Sequence, residues 1–191
     1  MQVTIIEEAG YNTALYGFSL SYKDRATPRV RWWTHDRALG VANTAIANAG
    51  IGKGHDKFLR QVMVWVDVEA PRYWWSEFDT YKVGVVAQSE STMHTIMKRP
   101  LDTDDFERLM SDTMLKEVNL RMAEAKEEND IGWAKAYLPE SYLQRRVVSL
   151  NYAVLRCIID QRANHKLPEW STFIAAIYAQ CEHPELLPKN E

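Results

Sequence analysis

A strict alternation of residue types at positions 62–68 is the feature that most limits the possible folds of this chain. The segment reads Val-Met-Val-Trp-Val-Asp-Val. Because successive side chains of a β-strand point to opposite faces, this pattern places four valines on one face of a strand and the larger or polar residues on the other. We expect a small sheet in which this strand is joined by residues 2–6 and by the hydroxyl-rich segment 85–92.

Helical spacing dominates the rest of the sequence. Helices are predicted over residues 36–49, 55–60, 71–80, 103–127, 140–163 and 168–181. The two long helices carry apolar residues three or four positions apart, which is the spacing of a buried helical row. These rows are Phe106, Leu109 or Met110, Met114, Val118 and Met122 in the first helix, and Leu143, Val147, Leu150, Val154 and Ile158 in the second. The predicted fold class is therefore α+β, mostly helical with a small β-sheet.

The chain has 191 residues without a repeat, a low-complexity tract or a linker rich in proline and serine, which predicts a single domain over residues 1–191. Its 23 basic and 26 acidic residues give a net charge of −3, which argues against a nucleic-acid coat or a membrane-surface protein. No apolar run reaches the roughly 20 residues of a membrane span, and the first residues lack the regions of a signal peptide. We expect a cytoplasmic protein that binds neither membranes nor nucleic acids directly.

Cysteine and histidine usage argues against a metal centre. Cys157 and Cys181 are the only cysteines, which excludes a disulfide framework and a cysteine-based zinc site. The five histidines show no metal-ligand spacing. We therefore expect no bound metal.

Two further patterns allow more than one interpretation. The pairs Trp32-Trp33 and Trp74-Trp75 are typical of core or subunit packing, but such aromatic faces also stack on a nucleotide base or a flavin ring. The loop at 50–54, Gly-Ile-Gly-Lys-Gly, is either a turn between helices or a ligand-binding loop, although its spacing matches neither the P-loop nor the dinucleotide fingerprint.

Arg162 lies four residues beyond Ile158 and extends the apolar row of the second long helix. An arginine at the inner end of such a row is held by a structural ion pair or reserved for an anion. Its guanidinium fork also suits a phosphate or a planar carbonyl-imide edge. The residues alone leave a structural role and a binding role open.

Three stretches, taken in their order and spacing, resemble the flavin-dependent thymidylate synthase family (thymidylate synthase X). The first comprises residues 54–61, Gly-His-Asp-Lys-Phe-Leu-Arg-Gln, and residues 70–82, in which a helix opened by Ala-Pro leads to the position of the family's Arg-His-Arg signature. The second is Gln-Ser-Glu-Ser-Thr-Met-His at 88–94, similar to the family's Asn-Glu-x-Ser-x-Arg-Tyr.

The third stretch is Ala-Lys-Ala-Tyr-Leu-Pro at 134–139. It is followed by Asn151 and Arg162 at the spacings at which the family has an asparagine and a substrate-binding arginine. The resemblance spans residues 54–175, which is most of the chain.

This resemblance implies the family's fold and its reaction, the reductive methylation of deoxyuridylate (dUMP) with methylenetetrahydrofolate as carbon donor and reduced flavin (FAD) as hydride source. It also implies a homotetramer with active sites shared between subunits. The substrate-binding residues that it implies are Arg162 at the base edge, Ser91 and Lys135 at the phosphate, Glu77 and Gln88. The cofactor-binding residues that it implies are Asn151, Lys82 and Tyr81.

Several positions depart from the family pattern. Thr80-Tyr81-Lys82 stands in place of Arg-His-Arg, and Met93 and Ala153 stand where the family has two further arginines. Because each lost charge-assisted contact is worth about 1.5–3 kcal/mol, we expect flavin binding to be much weaker than in the family. Three functions stay open: a divergent methyltransferase acting on a pyrimidine deoxynucleotide, a non-catalytic protein that binds or sequesters a nucleotide on the same fold, and a structural oligomer with a decayed pocket.

Overall fold

The computed structural model describes residues 1–22, 40, 43–45 and 54–189. The predicted helix at 36–49, the glycine loop at 50–54 and the Trp32-Trp33 pair lie wholly or largely outside the described residues.

The chain divides into two compact units. Unit 1 comprises Met1–Gln2, Val68–Thr80 and Ala87–Val147, and unit 2 comprises Val3–Asp67, Tyr81–Val86 and Val148–Glu191. A single domain over residues 1–191 stays a prediction.

The fold class is α+β, mostly helical with a small four-stranded antiparallel sheet, which confirms the prediction. The strands are β1 (Gln2–Ala9), β2 (Met63–Pro71), β3 (Val85–Ser89) and β4 (Leu143–Asn151), in the spatial order β1-β2-β4-β3. The α-helices with described bounds are α1 (Tyr11–Ser19), α2 (Arg72–Phe78), α3 (Thr92–Thr95), α4 (Asp112–Glu127), α5 (Ile131–Ala136), α6 (Tyr152–Arg162) and α7 (Pro168–Gln180). Short 3-10 helices occupy Leu20–Tyr22, Gly54–Arg60, Thr103–Asp105 and Pro184–Leu186. None of the helices in the described ranges has the length and apolarity to cross a membrane.

Strand β2 has the two faces that its alternation predicts. All four valines of the segment 62–68 are fully buried, and the three residues between them are partly exposed. The predicted helices at 71–80 and 168–181 are confirmed as α2 and α7, and Pro168 occupies the start of α7, where its missing N–H has no helical partner to lose.

The predicted helix at 140–163 is wrong in its first half. Residues Leu143–Asn151 form strand β4, and helix α6 begins only at Tyr152. Within the strand, Val148 and Leu150 alternate inward and are fully buried. Of the predicted row, Leu150 lies on this buried face, whereas Val147 points to the other face of the strand and is 36% exposed.

Local chemistry explains the change from strand to helix. Adjacent β-branched residues, Val147 and Val148, favour extended backbone. Asn151 then starts α6, because its side-chain oxygen accepts a hydrogen bond from the amide of Val154 at 3.0 Å and satisfies one of the unpaired donors of the first turn.

The predicted helix at 103–127 begins later than expected. Residues Thr103–Asp105 form one 3-10 turn, and Phe106 pairs with Tyr142 in an isolated antiparallel bridge. Ser111 caps the true helix, α4, by accepting a hydrogen bond from the third helical amide at 3.3 Å. The bridge removes Phe106 from the helix, so the predicted row loses its first turn.

Two positions of that predicted row are exposed. Leu109 is 96% exposed and Met114 is 55% exposed. Met110, Val118 and Met122 are buried as predicted and belong to a hydrophobic cluster of unit 1.

The Trp74-Trp75 pair belongs to the core of unit 1. The two side chains are 0% and 1% exposed, and both rings contact Phe78. Nε1 of Trp75 donates a hydrogen bond to the backbone carbonyl of Gln144 at 2.8 Å. Of the two interpretations of this pair, core packing is the one that the structure shows.

Candidate functional site

Arg162 is the last residue of α6 and lies on the same helical face as the fully buried Ile158, four residues earlier. Its side chain is half-buried. The helix therefore brings a guanidinium to the edge of the core of unit 2, at the point where α6 ends.

Two aromatic side chains hold the Arg162 guanidinium. Its central carbon lies 4.7 Å from the centre of the Trp170 ring and 5.5 Å from that of the Tyr81 ring. Nε of Arg162 donates a hydrogen bond to the Tyr81 hydroxyl at 2.8 Å, and that hydroxyl donates to Oε1 of Gln161 at 3.1 Å. Contacts of a cation with an aromatic face contribute about 0.5–2 kcal/mol. The guanidinium is therefore oriented by the protein itself.

Helix α7 supplies the ring beneath Arg162. Trp170 is fully buried, and its ring makes edge contacts with the rings of Tyr81 and His165, at 6.2 Å between centres, and of Phe173, at 6.0 Å. Because these neighbours enclose the indole on several sides, the surface on which Arg162 rests is a fixed part of the unit 2 core.

Residues 81–84 run along α6 in the direction opposite to the helix. Tyr81 contacts Arg162 at the C-terminal end, whereas Gly84 lies at the N-terminal end. A Cβ placed on Gly84 would lie 3.3 Å from Nδ2 of Asn151, and the φ angle of Gly84 is +79°. Both the close approach and the positive φ angle favour glycine at this position.

The three cofactor-binding residues implied by the resemblance thus lie beside α6, in the same unit as Arg162. Lys82 is exposed, and Tyr81 and Asn151 are half-buried. The side-chain oxygen of Asn151 caps α6, and the hydroxyl of Tyr81 both accepts and donates a hydrogen bond. Lys82 is the one member of this trio that carries a charge.

The other four implied residues belong to unit 1. Ser91, Lys135 and Gln88 are exposed, and Glu77 is half-buried on α2. Ser91 immediately precedes α3, and its backbone carbonyl accepts a hydrogen bond from the His94 amide at 3.1 Å. The eight implied residues therefore fall into two groups of four, one in each unit.

An acidic cavity of about 260 Å³ lies in unit 1, and one of its lining residues, Glu90, directly precedes Ser91 in the sequence. Its lining includes the three carboxylates of Glu69, Glu90 and Asp105, the single cation Arg99, which is paired with Asp105, and Tyr142. Burial, together with the charges of Glu69 and Asp105, raises the pKa of Glu90. Burial and the charge of Glu90 raise the pKa of Tyr142 to about 12. This negative lining repels a nucleotide phosphate, so the cavity is a poor phosphate site.

Within the described ranges, no group of three or more histidine, cysteine, aspartate or glutamate side chains is arranged to hold a metal ion.

Trp170 and Gln161 are partners of the candidate site that the sequence patterns did not indicate. Gln161 is adjacent to Arg162, but only the folded chain shows that it accepts a hydrogen bond from Tyr81. Trp170 lies eight residues after Arg162, near the start of the helix that Pro168 opens. An aromatic residue at that position could have been predicted to pack against the Arg162 side chain.

Two solved structures are similar to this chain over nearly its whole length. One is the flavin-dependent thymidylate synthase ThyX from Helicobacter pylori complexed with FAD and dUMP, with a TM-score of 0.76, 16% sequence identity and 98% of both chains covered. The other is thymidylate synthase X from the same organism, also with FAD and dUMP, with a TM-score of 0.74, 15% identity and coverage of 98% of this chain and 97% of the other. This chain has the ThyX fold. No protein-family model matches the sequence, and no curated protein matches it either.

Proposed function

We propose that the protein binds a pyrimidine deoxynucleotide of the deoxyuridylate type, with Arg162 contacting the carbonyl-imide edge of the base. The observation that carries this proposal is the cradle of Trp170 and Tyr81, which orients the guanidinium at the end of α6. Support also comes from the fold, because similar folds hold dUMP in the Helicobacter pylori structures.

The chemistry of arginine fits this role. Its planar guanidinium presents N–H donors in a fixed fork that matches two adjacent acceptors of a planar ligand. Trp170 and Tyr81 restrict the side chain of Arg162 before binding. Less conformational entropy is then lost when the ligand arrives, which favours affinity.

The remaining substrate contacts are proposed from unit 1. Ser91 and Lys135 would hold the phosphate, since both are exposed and offer a hydroxyl and an ammonium group. Glu77 and Gln88 would complete the contacts with the nucleotide. Sites shared between subunits of a homotetramer, as the sequence resemblance implies, are part of the same proposal.

The residues present do not fit a flavin dinucleotide well. FAD carries two phosphates, and among its three implied contacts only Lys82 is cationic. The other two are neutral, and the side-chain oxygen of Asn151 and the hydroxyl of Tyr81 already make hydrogen bonds within unit 2. We therefore favour nucleotide binding without flavin over flavin-dependent methylation with methylenetetrahydrofolate. The latter is the second candidate function, favoured by the similarity of the whole chain to a fold that holds FAD.

Calorimetric titrations with dUMP and with FAD, together with mass spectrometry of ligands released from the denatured protein, test this proposal. We expect saturable dUMP binding, a colourless protein and FAD binding weaker than micromolar. Sub-micromolar FAD binding with a flavin absorbance band would instead support methylation. Absence of dUMP binding would contradict both candidate functions.

A further inference from the structure

A second cavity in unit 1, of about 180 Å³, has a mostly apolar lining without any acidic side chain. One wall is a face of α4, which contributes Asn119, Met122, Ala123 and Lys126. These residues lie at i, i+3, i+4 and i+7, so they share one side of the helix. The other wall is the segment 97–100, Met-Lys-Arg-Pro.

The two walls are tied together by Asn119. Its Nδ2 donates a hydrogen bond to the backbone carbonyl of Leu101 at 2.8 Å, and the amide of Leu101 donates to its Oδ1 at 2.7 Å. Met122 is 4% exposed, and Met97 packs against the same hydrophobic cluster. The apolar floor is therefore an extension of the unit 1 core, and its shape is set without a ligand.

Of the three cationic side chains that line this cavity, Arg99 is paired with carboxylates and, within the described ranges, the two lysines are not. Arg99 is engaged in an ion pair with Asp105, through contacts of 2.6 and 2.8 Å. Neither Lys98 nor Lys126 makes an ion pair with any residue in the described part of the chain. Two exposed ammonium groups thus flank an apolar floor in a chain whose net charge is −3.

We propose that this cavity binds a small organic carboxylate with a compact apolar body, such as an aromatic acid of the size of benzoate. At about 180 Å³ the cavity is smaller than the roughly 300–1,000 Å³ typical of sites for drug-sized ligands, so it suits a compact ligand. Met97, Pro100 and Met122 offer the surface on which an apolar body loses its water. Lys98 and Lys126 supply the opposite charge for the carboxylate.

NMR of protein labelled with carbon-13 at its methionine methyl groups reports directly on this cavity, through the methyl signals of Met97 and Met122. The two signals are assigned with the variants Met97→Leu and Met122→Leu. We expect benzoate to shift both signals saturably. Its neutral isostere benzamide and inorganic phosphate should each bind about tenfold more weakly, because one lacks the charge and the other lacks the apolar body. Equal affinity for benzoate and benzamide, or no saturable shift with benzoate, would overturn the proposal.

Variants separate this site from general charge effects. The double change Lys98→Gln with Lys126→Gln should weaken benzoate binding about tenfold, and Ala123→Leu should abolish it by filling the cavity. Lys116→Gln is the matched control, because Lys116 is an exposed lysine of α4 outside the lining. Wild-type benzoate affinity in the double variant, or an equal loss in the control, would refute the proposal. Affinity for dUMP should be unchanged in all three variants.

Discussion

Removing one hydroxyl group from the Arg162 cradle tests how that cradle works. The change Tyr81→Phe keeps the aromatic ring beside Arg162 and Trp170. It removes the acceptor of the Arg162 Nε hydrogen bond and the donor to Gln161. A hydrogen bond to a charged group contributes about 1.5–3 kcal/mol and a neutral one about 0.5–1.5 kcal/mol. Because these groups are half-buried or exposed, and water replaces part of each contact, we expect a net loss of about 1–2 kcal/mol in the free energy of unfolding.

Thermal unfolding and calorimetric titration measure the two consequences of this change. A loss of this size lowers the midpoint of a chain of this length by about 2–8 °C. Freeing the rotamers of Arg162 before binding should weaken dUMP affinity by up to about tenfold. Tyr137→Phe is the matched control, since the Tyr137 hydroxyl makes no hydrogen bond in the described part of the chain. If Tyr81→Phe matches the wild type in both measurements, the cradle does not orient Arg162.

Two further predictions concern other described residues. Glu90→Gln should raise the unfolding midpoint at neutral pH, because burial raises the pKa of Glu90 and makes its charged form unfavourable in the folded state. The stabilisation that the raised pKa gives the wild type is present at acid pH and is lost as the pH rises through the folded-state pKa. The difference in unfolding midpoint between the variant and the wild type should therefore shrink on acidification. A constant difference from pH 4 to pH 7 would contradict this reasoning. Asn151→Ala should lower the free energy of unfolding by about 0.5–2 kcal/mol through loss of the α6 cap, whereas Asn151→Ser should keep most of the cap's stabilisation. Chemical denaturation measures both losses. Equal losses in the two variants would show that the cap is not the stabilising feature.

The elements that were predicted correctly are those whose local sequence pattern fits only one type of secondary structure. The valine alternation of β2 is compatible with a strand alone, and Pro168 marks the start of α7. Strand β4 was missed because its apolar residues also fit a helical spacing, and pairing in the interior of the sheet decides between them. The caps Asn151 and Ser111 were visible in the sequence and would have corrected both helix starts.

The candidate site was accessible to sequence reasoning only in part. The position of Arg162 at the end of a buried row follows from helical spacing, which holds between Ile158 and Arg162. Its partnership with Tyr81 joins residues 81 positions apart, and local patterns carry no information on such a pair. The same limit applies to Asn119 and Leu101, whose reciprocal hydrogen bonds join the two walls of the second cavity of unit 1.

The binding role of Arg162 is tested most directly by measuring dUMP affinity and thermal stability on the same Arg162→Ala variant. The wild type should bind dUMP, and the variant should lose about 100-fold in affinity, since a forked, charge-assisted contact disappears. Its unfolding free energy should fall by about 2 kcal/mol, because the hydrogen bond to Tyr81 and the ring contacts are lost, and this is below the 3–5 kcal/mol typical of a broken buried ion pair. Arg162→Lys keeps the charge without the fork and should recover little of the affinity. A large drop in stability with wild-type dUMP affinity would show that Arg162 is a structural residue and would contradict the proposed function.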